Sequence, residues 1–160
     1  STGEVMGMDK DFGLAYAKSQ IASQNSLPTK GLAFISLKDR HKNEGVELAK
    51  QLVKLGFTLC GTEGTASRIT KNGIKCKKIN KVSGGSPHVI DILNSKKIAL
   101  VINTGGGKRK YRIQDSTSLR RSTLINKVPY CTNMSTAYAC LEAIKSLKTK
   151  KIEVKSLQEI

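Results

Sequence analysis

The chain has no tryptophan, and aromatic residues fill only 4% of its 160 positions. Its core must therefore be aliphatic, and 38% apolar residues are enough to build one for a single domain of ordinary size. The shortage of aromatics also removes the stacking platforms on which single-stranded nucleic acids are held. No apolar run in the chain approaches the ~20 residues of a membrane-spanning helix. Four cysteines, Cys60, Cys76, Cys131 and Cys140, form no C-x-x-C pair, and His41 and His88 stand at no metal-ligand spacing from them. That pattern suits reduced, buried thiols in a cytoplasmic protein, not a zinc site or a disulfide framework. The opening STGEVMGMDK has neither an initiator Met nor a signal-peptide pattern, and reads as a cut inside a longer protein.

What is abundant is positive charge. Twenty-eight Lys and Arg against 12 Asp and Glu give a net charge of +16, which points to an anionic partner. The lysines are spread along the whole chain, and a small anion needs far less charge than this. Six basic residues fall within 108–121, so nucleic acid is the alternative class, though the missing aromatics count against it.

The hydrophobic pattern alternates. Residues 9–24 carry Phe12, Ala15, Tyr16 and Ala22 at helical spacing behind an Asp cap at 9 or 11, and NSLPTK with Pro28 breaks the pattern. GLAFISL (31–37) and IALVIN (98–103) are continuous apolar runs, as expected of strands buried on both faces. FTLCG (57–61), IKCKKIN (74–80) and VPYCTN (128–133) read as further strands. Helices are expected over 43–56, 65–73, 86–97 with Pro87 near its start, 115–127 and 135–148, with a polar loop over 104–114. The tail from 149 is amphipathic, an edge strand or a loose end. Five strand–helix alternations imply a three-layer α/β/α fold around a five-stranded, mainly parallel, Rossmann-like sheet.

In such sheets ligands settle beyond the carboxyl ends of the strands. The segments after each strand are rich in hydroxyls, glycines and lysines, a composition suited to phosphate at helix N-termini. In CGTEGTASRI, Thr62 and Thr65 offer hydroxyls, Gly64 allows close backbone approach, and Lys42 and Lys81 supply full charge. Thr65 is equally an ordinary helix cap, and the glycines after Thr104 equally an ordinary turn. Arg120 and Arg121 fit a ligand or interface clamp, a pair of surface ions, or one inward Arg bracing a loop.

STGEVMG, GTEGTA, NKVSGGSPHVID, VINT, DSTSLRRS and VPYCTN, in this order, resemble the C-terminal part of the carbamoyl-phosphate synthase large chain. Residues 1–24 resemble the tail of its second ATP-grasp unit, and 25–160 its regulatory domain, similar in fold to methylglyoxal synthase. The resemblance implies a non-catalytic allosteric domain, without a cofactor of its own, that binds UMP or IMP through one phosphate-centred site. Ser36, Lys42, Thr62, Thr65, Lys81, Asn103 and Thr104 would line that site, and Tyr130 and Thr132 would contribute to an ornithine site. The parent enzyme would use ATP with Mg2+ or Mn2+, a small glutaminase chain and oligomer contacts in the cytoplasm. Two departures stand out: Gly105 replaces a second threonine of the family's INTT, and Cys131 replaces an Asp found in some members.

The same fold carries a lyase that abstracts a proton from a triose phosphate, which requires a carboxylate base beside the substrate. Here Ser86 occupies the base position of the family's GGD turn. Asp91 is expected to be a structural or surface carboxylate, and His88 to be exposed and not catalytic.

Overall fold

The apolar runs at Gly31–Ser36 (β1) and Ile98–Asn103 (β4) become hydrogen-bonded neighbours at the centre of a five-stranded parallel sheet. In the computed structural model, residues 3–80, 85–86, 88–105 and 109–159 are described, with the side chains of 109–115 and 157 left aside. Phe57–Gly61 (β2) flanks β1, Cys76–Lys78 (β3) forms one edge and Tyr130–Cys131 (β5) the other, in the order β3-β2-β1-β4-β5. Every pairing is parallel.

Alternation along the strands divides the core in two. Ala33, Ile35, Leu59, Leu100 and Ile102 face one side. There they meet Ala17 of α1 (Phe12–Ala22), Leu48 and Leu52 of α2 (Lys42–Lys54), Ile69 of α3 (Glu63–Lys71) and Ile144 of α6 (Met134–Thr149). Phe34, Cys60 and Val101 face the other side and meet Val89 and Leu93 of α4 (Val89–Asn94) and Leu119 of α5 (Arg109–Ile125). A register shift between β1 and β4 skips Ala99, which turns Ile98 into the second cluster beside Val101.

Strand order reverses between β1 and β4: β2 and β3 extend the sheet one way, β4 and β5 the other. Crossovers to the two sides put α2 and α3 on one face and α4 and α5 on the opposite one. In sheets of this kind the ligand crevice is expected at the carboxyl ends of the strands on either side of such a reversal, where the loops after β1 and β4 leave for opposite faces.

Several boundaries differ from the sequence reading. α3 begins at Glu63 with Thr62 as its N-cap, so Thr65 lies inside the helix and does not cap it. α5 begins at Arg109, six residues before the expected start, because basic residues such as Arg and Lys propagate a helix as well as apolar ones do. α4 is confined to Val89–Asn94, and Pro87, its expected opening residue, lies outside the described residues. The tail adds no strand to the sheet; a short 3-10 turn at Leu157–Glu159 is its one regular piece among the described residues.

The N-terminal helix joins the same core. Asp11 caps α1 by accepting from Leu14 N at 2.9 Å, and the same oxygen accepts from Ser146 Oγ of α6 at 2.7 Å. Lys150 completes the cluster on the other carboxylate oxygen. Between the helices sits Gly13: a Cβ there would lie 2.3 Å from Ser146 Oγ and 2.6 Å from Glu142 O.

Candidate functional site

Three strand ends meet at the reversal point. Parallel pairing of β1 with β4 aligns Ser36 with Asn103, and the bridge continues as Thr104 N donates to Ser36 O at 3.0 Å. One turn later Lys38 N donates to Thr104 Oγ1 at 3.1 Å. From the β2 side, Thr65 Oγ1 accepts from Leu37 N at 3.0 Å. Thr62 Oγ1 reaches both Ser36 Oγ (3.3 Å) and Thr65 Oγ1 (3.4 Å), and makes no capping bond to its own helix. Thr62, Thr65, Asn103 and Thr104 are all buried. Such a group of buried hydroxyls, bonded to each other and to backbone amides of the opposite loop, is pre-organised to accept or donate at one point.

Charge borders the hydroxyls. Lys42, the first residue of α2, extends towards the first turn of α3, where a Cβ on Gly64 would approach its Nζ to 2.7 Å. The absent side chain of Gly64 thus makes room for an ammonium at a helix N-terminus. Lys42 also pairs with Asp39 at 2.6 Å, whose side chain is 94% exposed, so the pair is solvent-screened. Glu63, the acidic residue of that turn, is held by Lys78, which keeps its carboxyl below the usual range.

Asn103 is fixed at both ends of its amide. Its Nδ2 donates to Tyr130 OH at 3.0 Å and its Oδ1 accepts from Gly105 N at 3.1 Å. Gly105 adopts φ +74°, in the region that favours glycine, which gives the departure from a second threonine a backbone reason. The Tyr130 phenol is pushed up by burial, against the opposing pull of the Asn103 hydrogen bond and the nearby Arg120 charge.

Ser36, Thr62 and Thr65 form one cluster of hydroxyls, and Thr104 is tied to the same β1 loop through Lys38 N and Ser36 O. Asn103 and Tyr130 make a neighbouring pair at the ends of β4 and β5, and Lys42 stands at the first turn of α3. Lys81 lies outside the described residues, as do Gly106, Gly107 and Lys108 of the glycine-rich turn. Thr132 is exposed just past β5 and makes no side-chain bond to the group among the described residues. The sequence reading passed over the amides of Leu37 and Lys38 as site components; their signal was their position, directly after β1. It also left Arg120 unassigned.

Ser86, His88 and Asp91 serve another purpose. Asp91 accepts from His88 N at 2.8 Å and from Ser86 Oγ at 2.9 Å, closing the first turn of α4, and these bonds hold its carboxyl below the usual range. His88, expected to be exposed, is half-buried with Nδ1 3.4 Å from Asp91, because it is the N-cap and not a residue on the outer face.

The four cysteines are free; Cys60, Cys131 and Cys140 are buried, and burial pushes the Cys60 thiol up to about 12. Among the described residues no helix is long and apolar enough to cross a membrane.

Comparison with known proteins agrees with this geometry. Residues 44–132 match the family model described as MGS-like domain. The chain is 45% identical over 99% of its length to the carbamoyl phosphate synthase large chain of Mesorhizobium japonicum, and covers 14% of that relative. It is 48% identical, over its full length, to the C-terminal section of that large chain in Aquifex aeolicus, covering 30% of it. The chain thus spans less than a third of these relatives. Among solved structures, methylglyoxal synthase from Elizabethkingia anophelis superposes with a TM-score of 0.56 at 21% identity, over 72% of this chain and 79% of that one. The strand order, the two-sided helical cover and the family match lead to one conclusion: this chain belongs to the MGS-like domain family.

Proposed function

We propose that this chain is the allosteric effector-binding domain of a glutamine-dependent carbamoyl-phosphate synthase large chain. It binds a nucleoside monophosphate, UMP or IMP, by the phosphate, and ornithine beside Tyr130 and Thr132. The observation that carries this reading is the set of hydroxyls at the strand-order reversal, half-buried Ser36 with buried Thr62, Thr65 and Thr104, and Lys42 at their border. A phosphate there meets neutral donors, a helix N-terminus and positive charge together. Similarity over the full chain to carbamoyl phosphate synthase large chains supports this reading, and in it the setting is cytoplasmic synthesis of carbamoyl phosphate for pyrimidines and arginine. ATP chemistry, with its Mg2+ or Mn2+, then belongs to the preceding ATP-grasp units, and ammonia supply to the small chain.

The domain regulates by affinity. An effector that fits one arrangement of the interface better than another shifts the distant ATP sites, typically by ~1–3 kcal/mol of coupling. In this reading residues 1–24 belong to the synthetase, and α1 is joined to α6 through Asp11, Ser146 and Lys150.

The test is calorimetry and thermal shift with UMP, IMP, ornithine and inorganic phosphate, on the wild type and Lys81→Ala. UMP or IMP is expected to bind and to raise the melting temperature, and Lys81→Ala to weaken both nucleotides. Absence of any nucleotide effect, or release of methylglyoxal from dihydroxyacetone phosphate above background, would reject the regulatory role.

A further inference from the structure

Arg120 lies on α5, across the second face of the sheet from the hydroxyl group. Its guanidinium carbon sits 5.9 Å from the centroid of the Tyr130 ring, within cation–π range. No ion pair ties Arg120 to a carboxylate among the described residues. Arg121, the next residue, is exposed as Arg120 is, but makes no such contact among them. The two arginines are therefore not equivalent.

β5 contributes two residues to the sheet, so Tyr130 has little ladder to hold it. Its ring is half-buried, packed against the second core cluster, and its hydroxyl is the acceptor for Asn103 Nδ2. The other end of that amide fixes Gly105 N, just past the end of β4. A planar cation on the ring face limits how far the phenol can swing, and a fixed phenol fixes the Asn103 amide.

We propose that Arg120 is a positioning residue of the phosphate site: it braces Tyr130, which holds the Asn103 amide in the orientation a bound ligand meets. This rests on the reading of the crevice as a nucleotide-phosphate site. It also makes α5 a route by which occupancy of the crevice is felt on the opposite helical layer. A direct anion contact by Arg120 would follow a different rule, since it would need charge alone and no tyrosine.

The experiment compares wild type, Arg120→Ala, Arg120→Lys, Tyr130→Phe and the Arg120→Ala/Tyr130→Phe double variant. UMP, IMP and inorganic phosphate are titrated calorimetrically, and the Asn103 side-chain amide is followed by 15N NMR, identified by its loss in Asn103→Ala. Arg120→Ala is expected to weaken binding about two- to fivefold and to move the Asn103 resonances, with an unchanged melting temperature. Arg120→Lys keeps the charge but not the planar stack, and is expected to share the defect. The double variant is expected to bind no more weakly than Tyr130→Phe alone. Unmoved Asn103 resonances in Arg120→Ala, full rescue by lysine, or additive losses in the double variant would each overturn the proposal. Failure of wild type to bind any of the three ligands would instead remove the phosphate site itself, while the NMR arm still decides whether Arg120 orients Asn103.

Discussion

Thr65 Oγ1 accepts a hydrogen bond from the amide of Leu37, 28 positions earlier in the chain, at 3.0 Å inside the protein. The bond ties the first turn of α3 to the loop leaving β1. It gives Thr65 a structural duty distinct from that of Thr62, whose hydroxyl bonds only the hydroxyls of Ser36 and Thr65 among the described residues.

The two threonines should therefore separate in a paired experiment. Thr65→Val leaves the Leu37 amide buried without an acceptor and is expected to cost about 1–3 kcal/mol of stability, together with nucleotide affinity. Thr62→Val removes no capping bond, and is expected to change stability by less than ~1 kcal/mol while still weakening UMP and IMP. Urea denaturation and calorimetry on both variants check this. Equal stability losses would show that Thr62 is as structural as its neighbour.

Gly64 offers a substitution with opposing effects. Alanine in a helix is favoured over glycine by roughly 0.5–1 kcal/mol, so Gly64→Ala should leave the fold intact or slightly firmer. The added methyl would meet Lys42 Nζ at 2.7 Å, the far end of a flexible side chain, and so push the ammonium aside without disturbing backbone. Nucleotide binding is expected to fall as melting temperature holds or rises. Undiminished affinity would remove Lys42 from the site.

Much of this architecture is visible in the amino-acid order. β1 and β4 are apolar on both faces, and a run such as IALVIN has no alternative as compact. The convergence of hydroxyls also follows once parallel strands are inferred, because strand ends then share one edge. What stays hidden is non-local. Nothing in the order of residues says that β4 pairs with β1 and so brings Thr104 to Lys38, 66 positions away. α5 was hidden at its start because Lys108–Arg112 resembles a basic loop, while the position of the α3 cap was hidden because TEGT offers two threonines of equal capping chemistry. Arg120 differs from Arg121 only through Tyr130, a contact that spacing along a helix does not reveal.

Asp11 gives the N-terminal helix a pH signature. Lys150, then Ser146 and the Leu14 amide, hold its carboxyl well below the usual carboxylate range. A depressed folded-state value means that the stabilisation is complete above the unfolded value, about 4, and is lost as pH falls towards the lower folded one. Asp11→Asn keeps a capping side chain but loses the charge that Lys150 answers. Wild type is expected to be the more stable of the two at pH 7, with the gap closing below about pH 4. A gap that is constant between pH 7 and pH 3, followed by denaturant unfolding, would disconnect Asp11 from Lys150.

The same helix carries a steric test of how firmly α1 belongs to the rest of the fold. At Gly13 any side chain collides with α6, and one of the two obstacles is the Glu142 carbonyl, which cannot rotate away. Gly13→Ala should force α1 outward and loosen the burial of Leu14 and Ala17, at a cost of roughly 1–3 kcal/mol. The hydroxyls of Ser36, Thr62, Thr65 and Thr104 lie at the carboxyl ends of β1, β2 and β4, and no hydrogen bond among the described residues joins α1 to them. Phosphate affinity of the folded variant is therefore expected to stay near wild type while its melting temperature drops. If affinity fell in proportion to stability, α1 and the crevice would form one cooperative unit, and residues 1–24 would carry the effector signal through the core itself.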